Sequence, residues 1–153
     1  AETVICGIDP GKTGAIAFLY NSGNKDFFAE VHDMPMYGKE VNAWALAELF
    51  REFPPFHTYI ESQNSFKMGR QTAFMYGGGY FAIQAILATL KLPYSKVSPA
   101  KWKKHFNLKG GDKAASCRKA AQLFPNNADD FKNQKDHGRA EALLIAKWGE
   151  DSE

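Results

Sequence analysis

Val4-Ile5-Cys6-Gly7-Ile8-Asp9-Pro10-Gly11-Lys12-Thr13-Gly14 is the stretch on which the reading of this chain turns. An apolar run closed by an acid, then Pro-Gly, then a second apolar run, Ala15-Ile16-Ala17-Phe18-Leu19-Tyr20, is the pattern of a β-hairpin with one carboxylate at its tip. Outward from it, the polar turn Asn21-Ser22-Gly23-Asn24-Lys25 leads to a third strand at 27–32, and Pro35 and Gly38 mark 33–38 as a loop.

Two nucleotide-binding patterns share part of this turn. Gly11-Lys12-Thr13 matches the end of a P-loop, but that motif needs glycine at position 6, where the chain has Cys. A P-loop also opens a helix whose amides cradle phosphate, whereas residues 14–20 are apolar and strand-like. The Asp-x-Gly-x-Thr hairpin of the actin and sugar-kinase ATPases is a nearer competitor. Those enzymes close two lobes over a nucleotide, and 153 residues supply about one domain, here 1–153.

A chain that is 44% hydrophobic and 14% aromatic can bury a proper core without staples. Cys6 and Cys117 form no disulfide framework and fit a reducing compartment. No apolar run approaches the ~20 residues of a membrane span, and the N-terminus lacks a signal-peptide pattern. The expectation is an intracellular soluble protein of the cytoplasm, a host cell's if viral, or of an organelle.

Charge is unevenly placed. Between Lys91 and Lys119 nine basic residues (Lys91, Lys96, Lys101, Lys103, Lys104, Lys109, Lys113, Arg118, Lys119) face one acid, Asp112. Against a net charge of +2, that surplus of eight leaves the remainder at minus six. A basic segment on an otherwise acidic domain is the footprint of a polyanion-binding face, although a solubilising helix surface has the same composition.

Further along, Asn42 caps a helix ended by Pro54-Pro55, and 56–60 reads as a short buried strand with Glu61 at its carboxyl end. In open α/β sheets functional groups gather outside the carboxyl ends of strands, so Asp9 and Glu61 emerge together if their strands are neighbours. The segment 67–90 is helical in pattern yet holds Gly77-Gly78-Gly79, each costing ~1 kcal/mol relative to Ala. Close approach of another backbone compensates, unless the glycines are a plain break between two helices. Phe74, Tyr76, Tyr80 and Phe81 suit a buried face or a dimer seam. An edge-like strand at 92–97 follows, then a helix opened by Ser98-Pro99 that gives Lys101, Lys104 and His105 a shared side. Asp112 caps another helix, which leaves Lys113, Arg118 and Lys119 for solvent or phosphates and packs through its alanines and Leu123. Residues 125–134 read as a loop. The chain then closes in an amphipathic helix over 135–149, ended by Gly149, with His137 and Glu141 one turn apart on one face and Asp136 as ligand or N-cap.

Gly7-Ile8-Asp9-Pro10-Gly11 with Gly14, then Ile60-Glu61, then Asp136-His137-Gly138-Arg139-Ala140-Glu141-Ala142-Leu143-Leu144-Ile145-Ala146 resemble the three acidic motifs of the RuvC family. These are Holliday-junction resolvases of DNA recombination and repair, and the closing motif is most similar to the phage and plant-chloroplast branches. The resemblance spans nearly the whole chain. It implies an α/β RNase H-like fold, a mixed five-stranded sheet of order 3-2-1-4-5 flanked by helices.

It also implies a metal-dependent endodeoxyribonuclease that resolves four-way junctions by paired nicks. Asp9, Glu61, His137 and Glu141 would hold two Mg2+ or Mn2+ ions, Asp9 bridging both. Lys104 and Lys113 would contact phosphates at the cut, Lys113 offsetting charge there. Lys101, Lys103, Lys109 and Lys119 would extend the DNA-binding face, and Phe66 would stack on a base beside the junction. Many relatives carry an acid where this chain has His137, and a nitrogen ligand suits manganese better than magnesium. A near two-fold junction implies a homodimer; no membrane or small-molecule substrate is expected. Two other readings stay open, an RNase H-like nuclease on other branched or hybrid nucleic acid and a metal-free junction-binding protein.

Overall fold

The structure is a computed structural model that describes residues 3–11, 13–21, 28–62 and 67–153. The opening stretch forms the expected hairpin. β1 (Thr3–Asp9) runs antiparallel to β2 (Ala15–Asn21), with Asp9 opposite Ala15, and Gly14 N donates to the Gly11 carbonyl at 2.8 Å across the turn. β3 (Phe28–Asp33) continues the meander. The segment read as a loop after it holds half of a ribbon, β4 (Met36–Tyr37) paired with β5 (Glu40–Val41), turned by Gly38 at φ 62°. Strands of two residues carry no periodicity to read.

α1 (Ala43–Glu52) starts where Asn42 Oδ1 accepts from Ala45 N at 3.0 Å, and it returns the chain to β6 (His57–Glu61). α2 (Arg70–Thr89) returns it to β7 (Tyr94–Val97). β6 pairs in parallel with β1, and β7 with β6, which makes β7 an edge. The sheet order is β3-β2-β1-β6-β7, the expected 3-2-1-4-5 once the ribbon's two strands are counted in.

α3 (Pro99–His105) and α4 (Lys113–Leu123) follow, capped as expected by Ser98 and Asp112. The segment read as a loop at 125–134 is instead largely a 3-10 turn, Pro125–Phe131, that buries Phe131. A second 3-10 turn, Gln134–Asp136, runs into α5 (His137–Ser152). Gly149 does not end that helix; it lies inside it, where a Cβ would overlap the Tyr59 ring. Ala120 packs as expected, but Leu123, expected beside it, is exposed, and Ser116 and Cys117 are buried in its place.

Period-two alternation sorts the strand residues onto two cores. Ile5, Ala15, Ala17, Leu19 and Tyr59 pack under α3, α4 and α5 with Trp102, Leu143 and Leu144. Cys6, Ile8, Ile16, Phe18 and Ile60 pack under α1 and α2 with Leu46, Phe50, Ile83 and Leu87. α2 is unbroken through Gly77-Gly78-Gly79, with Tyr80 buried but Phe74 and Phe81 79% and 68% exposed. No helix among the described residues is long and apolar enough to cross a membrane.

Candidate active site

Asp9 ends β1 and Glu61 ends β6. Because Ile8 pairs with Ile60 in parallel register, the two acids leave the sheet side by side, 7% and 6% exposed. Each is two residues past a position on the α3–α5 side, Gly7 and Tyr59, so alternation turns both carboxylates toward those helices.

Glycine lets α5 come close enough to complete the site. A Cβ on Gly7 would overlap the Ala142 carbonyl, and one on Gly138 would overlap the carbonyl of Thr13 in the hairpin turn. The first turns of α5 therefore lie directly on β1 and its turn, and Arg139 clasps Asp33 at the end of β3 through Nε–Oδ1 at 2.7 Å and Nη2–Oδ2 at 3.0 Å. This brings Glu141 against Asp9.

Burial, and after it the neighbouring Glu141, pushes the Asp9 carboxyl up to about 7, against the pull of Gly11 N, which donates to Oδ1 at 3.2 Å. Burial likewise raises Glu141, with Glu61 adding to it and Lys103 and Lys113 opposing. The two side chains face each other, and with both proton affinities raised the pair holds a proton more tightly than isolated carboxyls do. His137 opens α5 close enough to Asp9 to favour its ionised form, and its Nδ1 stands 3.3 Å from the Gln134 carbonyl. If Nδ1 carries the proton, Nε2 keeps its lone pair. Asp136 is neither in this pair nor a side-chain cap of α5; it accepts from Asn133 N at 3.3 Å in a capping box on the preceding turn.

Two aromatic residues complete the site. Trp102 of α3, wholly buried, donates from Nε1 to Glu61 Oε2 at 2.7 Å. Tyr76 of α2 has a buried hydroxyl with no hydrogen-bond partner among the described residues; burial, then Asp9 and Glu61, push its proton affinity up, so it remains a phenol. The sequence reading gave neither residue a part in the site. One signal pointed to Trp102: a lone large apolar residue among Lys101, Lys103 and Lys104 has only the interior to enter. Nothing comparable marked Tyr76.

Lys103, Lys109 and Lys113 line a cleft of about 130 Å3 together with His137 and Glu141. A second cavity, of about 280 Å3, opens on the other side of the turn, walled by Pro10, Gly11, Lys39, Gln71 and Tyr76 among others. Lys101 is not in the lysine cleft; its ammonium lies 5.6 Å from the centre of the Trp148 ring. Lys104 is exposed on α3 and Lys119 half-buried on α4, both outside the cleft. Phe66 lies outside the described residues.

Among the described residues no three His, Cys, Asp or Glu side chains are grouped to hold one ion. The arrangement is a pair, Asp9 with Glu141, flanked by His137 and by a Glu61 drawn toward Trp102. Its chemistry fits a divalent cation nonetheless. A buried and a half-buried carboxylate that face each other, both with raised proton affinity, offer oxygen donors where a cation can take the place of a proton.

No family model and no curated protein sequence matches the chain. Solved structures do. Thermus thermophilus RuvC superposes with a TM-score of 0.67 at 17% identity, over 98% of this chain and 97% of that one. The fowlpox virus resolvase in complex with substrate Holliday junction DNA gives 0.59 at 16% identity, over 98% of both chains. The yeast mitochondrial Holliday junction resolvase gives 0.56 at 15% identity, over 94% of this chain and 76% of that one. At such identities the likeness establishes the fold, which is that of RuvC and of RNase H-like proteins.

Proposed function

We propose that this chain is a RuvC-like resolvase of the phage and plant-chloroplast kind, a metal-dependent endodeoxyribonuclease that nicks four-way DNA junctions. The observation that carries the reading is the meeting of buried Asp9 with half-buried Glu141 beside a cleft lined by Lys103, Lys109 and Lys113. Similarity in fold to proteins solved with Holliday junction DNA supports the substrate class.

Asp9, Glu61, His137 and Glu141 would hold the metal. Two divalent ions, when bound, supply an activated water and stabilise the attacking and leaving oxygens of the phosphodiester. The three cleft lysines draw a DNA phosphate toward the acids and offset its charge, Lys113 nearest the role of countering charge that grows during cleavage. Metal binding at the pair would compete with the proton that Asp9 and Glu141 hold. His137 as a nitrogen donor favours Mn2+ over Mg2+.

Resolution needs nicks on two opposed strands, which a symmetric homodimer delivers. The exposed Phe74 and Phe81, with open space over Gly77 and Gly78 among the described residues, support α2 as the seam. The test is a nicking assay on mobile and immobile junctions, an RNA–DNA hybrid and linear duplex, with Mg2+ and then Mn2+. Junction-selective, metal-dependent nicking is expected. In the same assay Asp9→Asn is expected to lose at least about 100-fold in rate while still binding junctions, because it removes an acid and keeps the shape. Undiminished nicking by this variant excludes the site.

A further inference from the structure

We infer that Trp102 is a positioning residue that fixes the Glu61 carboxylate for metal binding. This rests on the metal site proposed above. The structural basis is independent of it.

An indole N–H can only donate, and when buried it needs an acceptor. Trp102 is 0% exposed, and the acceptor it finds is a carboxylate oxygen at 2.7 Å, at the short end for such bonds. The backbone aims it there. Glu61 is paired in register with Val97, the last residue of β7, and Ser98 then caps α3, accepting from Lys101 N at 3.2 Å. Strand end and helix start are thus joined without slack, and Trp102 arrives one turn later beneath the acid at the end of the neighbouring strand.

The ring face is also engaged. Lys103 holds its ammonium 5.5 Å from the Trp102 ring centre and lines the cleft that contains Glu141. Trp102 therefore touches both the acid on β6 and a lysine that faces the acid on α5. An oxygen that accepts one hydrogen bond retains a lone pair for a cation, so the indole sets the direction of Glu61 without displacing a metal.

The test measures metal binding apart from catalysis. Mn2+ is titrated into the apo protein by calorimetry, for wild type, Trp102→Phe, Glu61→Gln and the double variant, with a thermal melt of each. Phe keeps the packing and removes only the donor. Trp102→Phe is expected to weaken Mn2+ binding about 10- to 100-fold, as loss of an outer partner of a ligand does. In the Glu61→Gln background it is expected to add less than about twofold, because its effect runs through Glu61. Junction affinity without divalent ions stays at the wild-type value, and nicking recovers at high Mn2+.

Unchanged Mn2+ affinity in a folded Trp102→Phe overturns the assignment, as do losses that multiply in the double variant, which mark a general loosening. If Trp102→Phe does not fold, benzothienylalanine at 102, in a chain with Trp44 and Trp148 changed to Phe, removes the N–H at constant shape and is read against that parent by the same criteria. A wild-type protein that binds no Mn2+ removes the metal site and this role together, whereas binding unaffected by Trp102 removes only the role.

Discussion

At Tyr76 a phenol hydroxyl is buried without a hydrogen-bond partner among the described residues, under the influence of the Asp9 and Glu61 carboxylates. An unpaired buried hydroxyl is destabilising, so Tyr76→Phe is expected to raise the stability of the metal-free protein by about 1 kcal/mol in a denaturant melt. A fall of that size shows that the hydroxyl has a partner in solution. Single residues were legible in the sequence where chemistry and position coincided. Asp9 and Glu61 end apolar strands, and Glu141 lies one helical turn from His137, so the sequence singled out carboxylates that the fold brings to one region. Trp102 was hidden by its neighbours, since three lysines made α3 read as a surface helix. Asp33 was read as part of a loop, because its partner Arg139 is 106 residues away and no local pattern links them.

Among the elements, α5 and β1 are held in contact by the absence of side chains. Gly7→Ala is expected to cost about 3 kcal/mol or more, because its Cβ meets helix backbone, which cannot rotate aside as a side chain does. A melt of this variant within about 0.5 kcal/mol of wild type contradicts that contact. α2 makes the opposite case. Among the described residues nothing lies within 4 Å of a Cβ at Gly77, so Gly77→Ala is expected to stabilise the isolated chain by about 1 kcal/mol through helix propensity. Sedimentation should find self-association weakened by the same change if that strip of helix is the seam between copies. Helices and long strands were readable from caps and alternation; Asn42, Ser98 and Asp112 each start a helix as expected. The ribbon and the 3-10 turn of Pro125–Phe131 were not, since such short pieces are set by what they pack against.

For the molecule as a whole, pH acts on two groups of acids in opposite directions. Asp9, with its proton affinity raised in the fold, binds more protons folded than unfolded between about pH 4 and 7. Metal-free stability is therefore expected to rise as pH falls across that window. The hydrogen bond from Arg139 holds Asp33 below the usual carboxylate range, and the stability it contributes is lost as pH falls below about 4. Thermal melts from pH 8 to 3 without divalent ions should thus pass through a maximum on the acidic side; a flat profile between 4 and 7 contradicts the raised proton affinity of Asp9. Sheet order came from the resemblance to the RuvC family, because a three-strand meander and two strands that follow helices leave open which strand lies beside β1. What joins the ends of the chain was not readable from local pattern, because residues 9 and 141 meet only through that topology. A ribosome that has threaded out β7, ending at Val97, has supplied all five strands of the main sheet, yet Asp9 still waits for Glu141. Synthesis thus withholds the acid pair until α5 emerges, and any polypeptide released earlier is born without it.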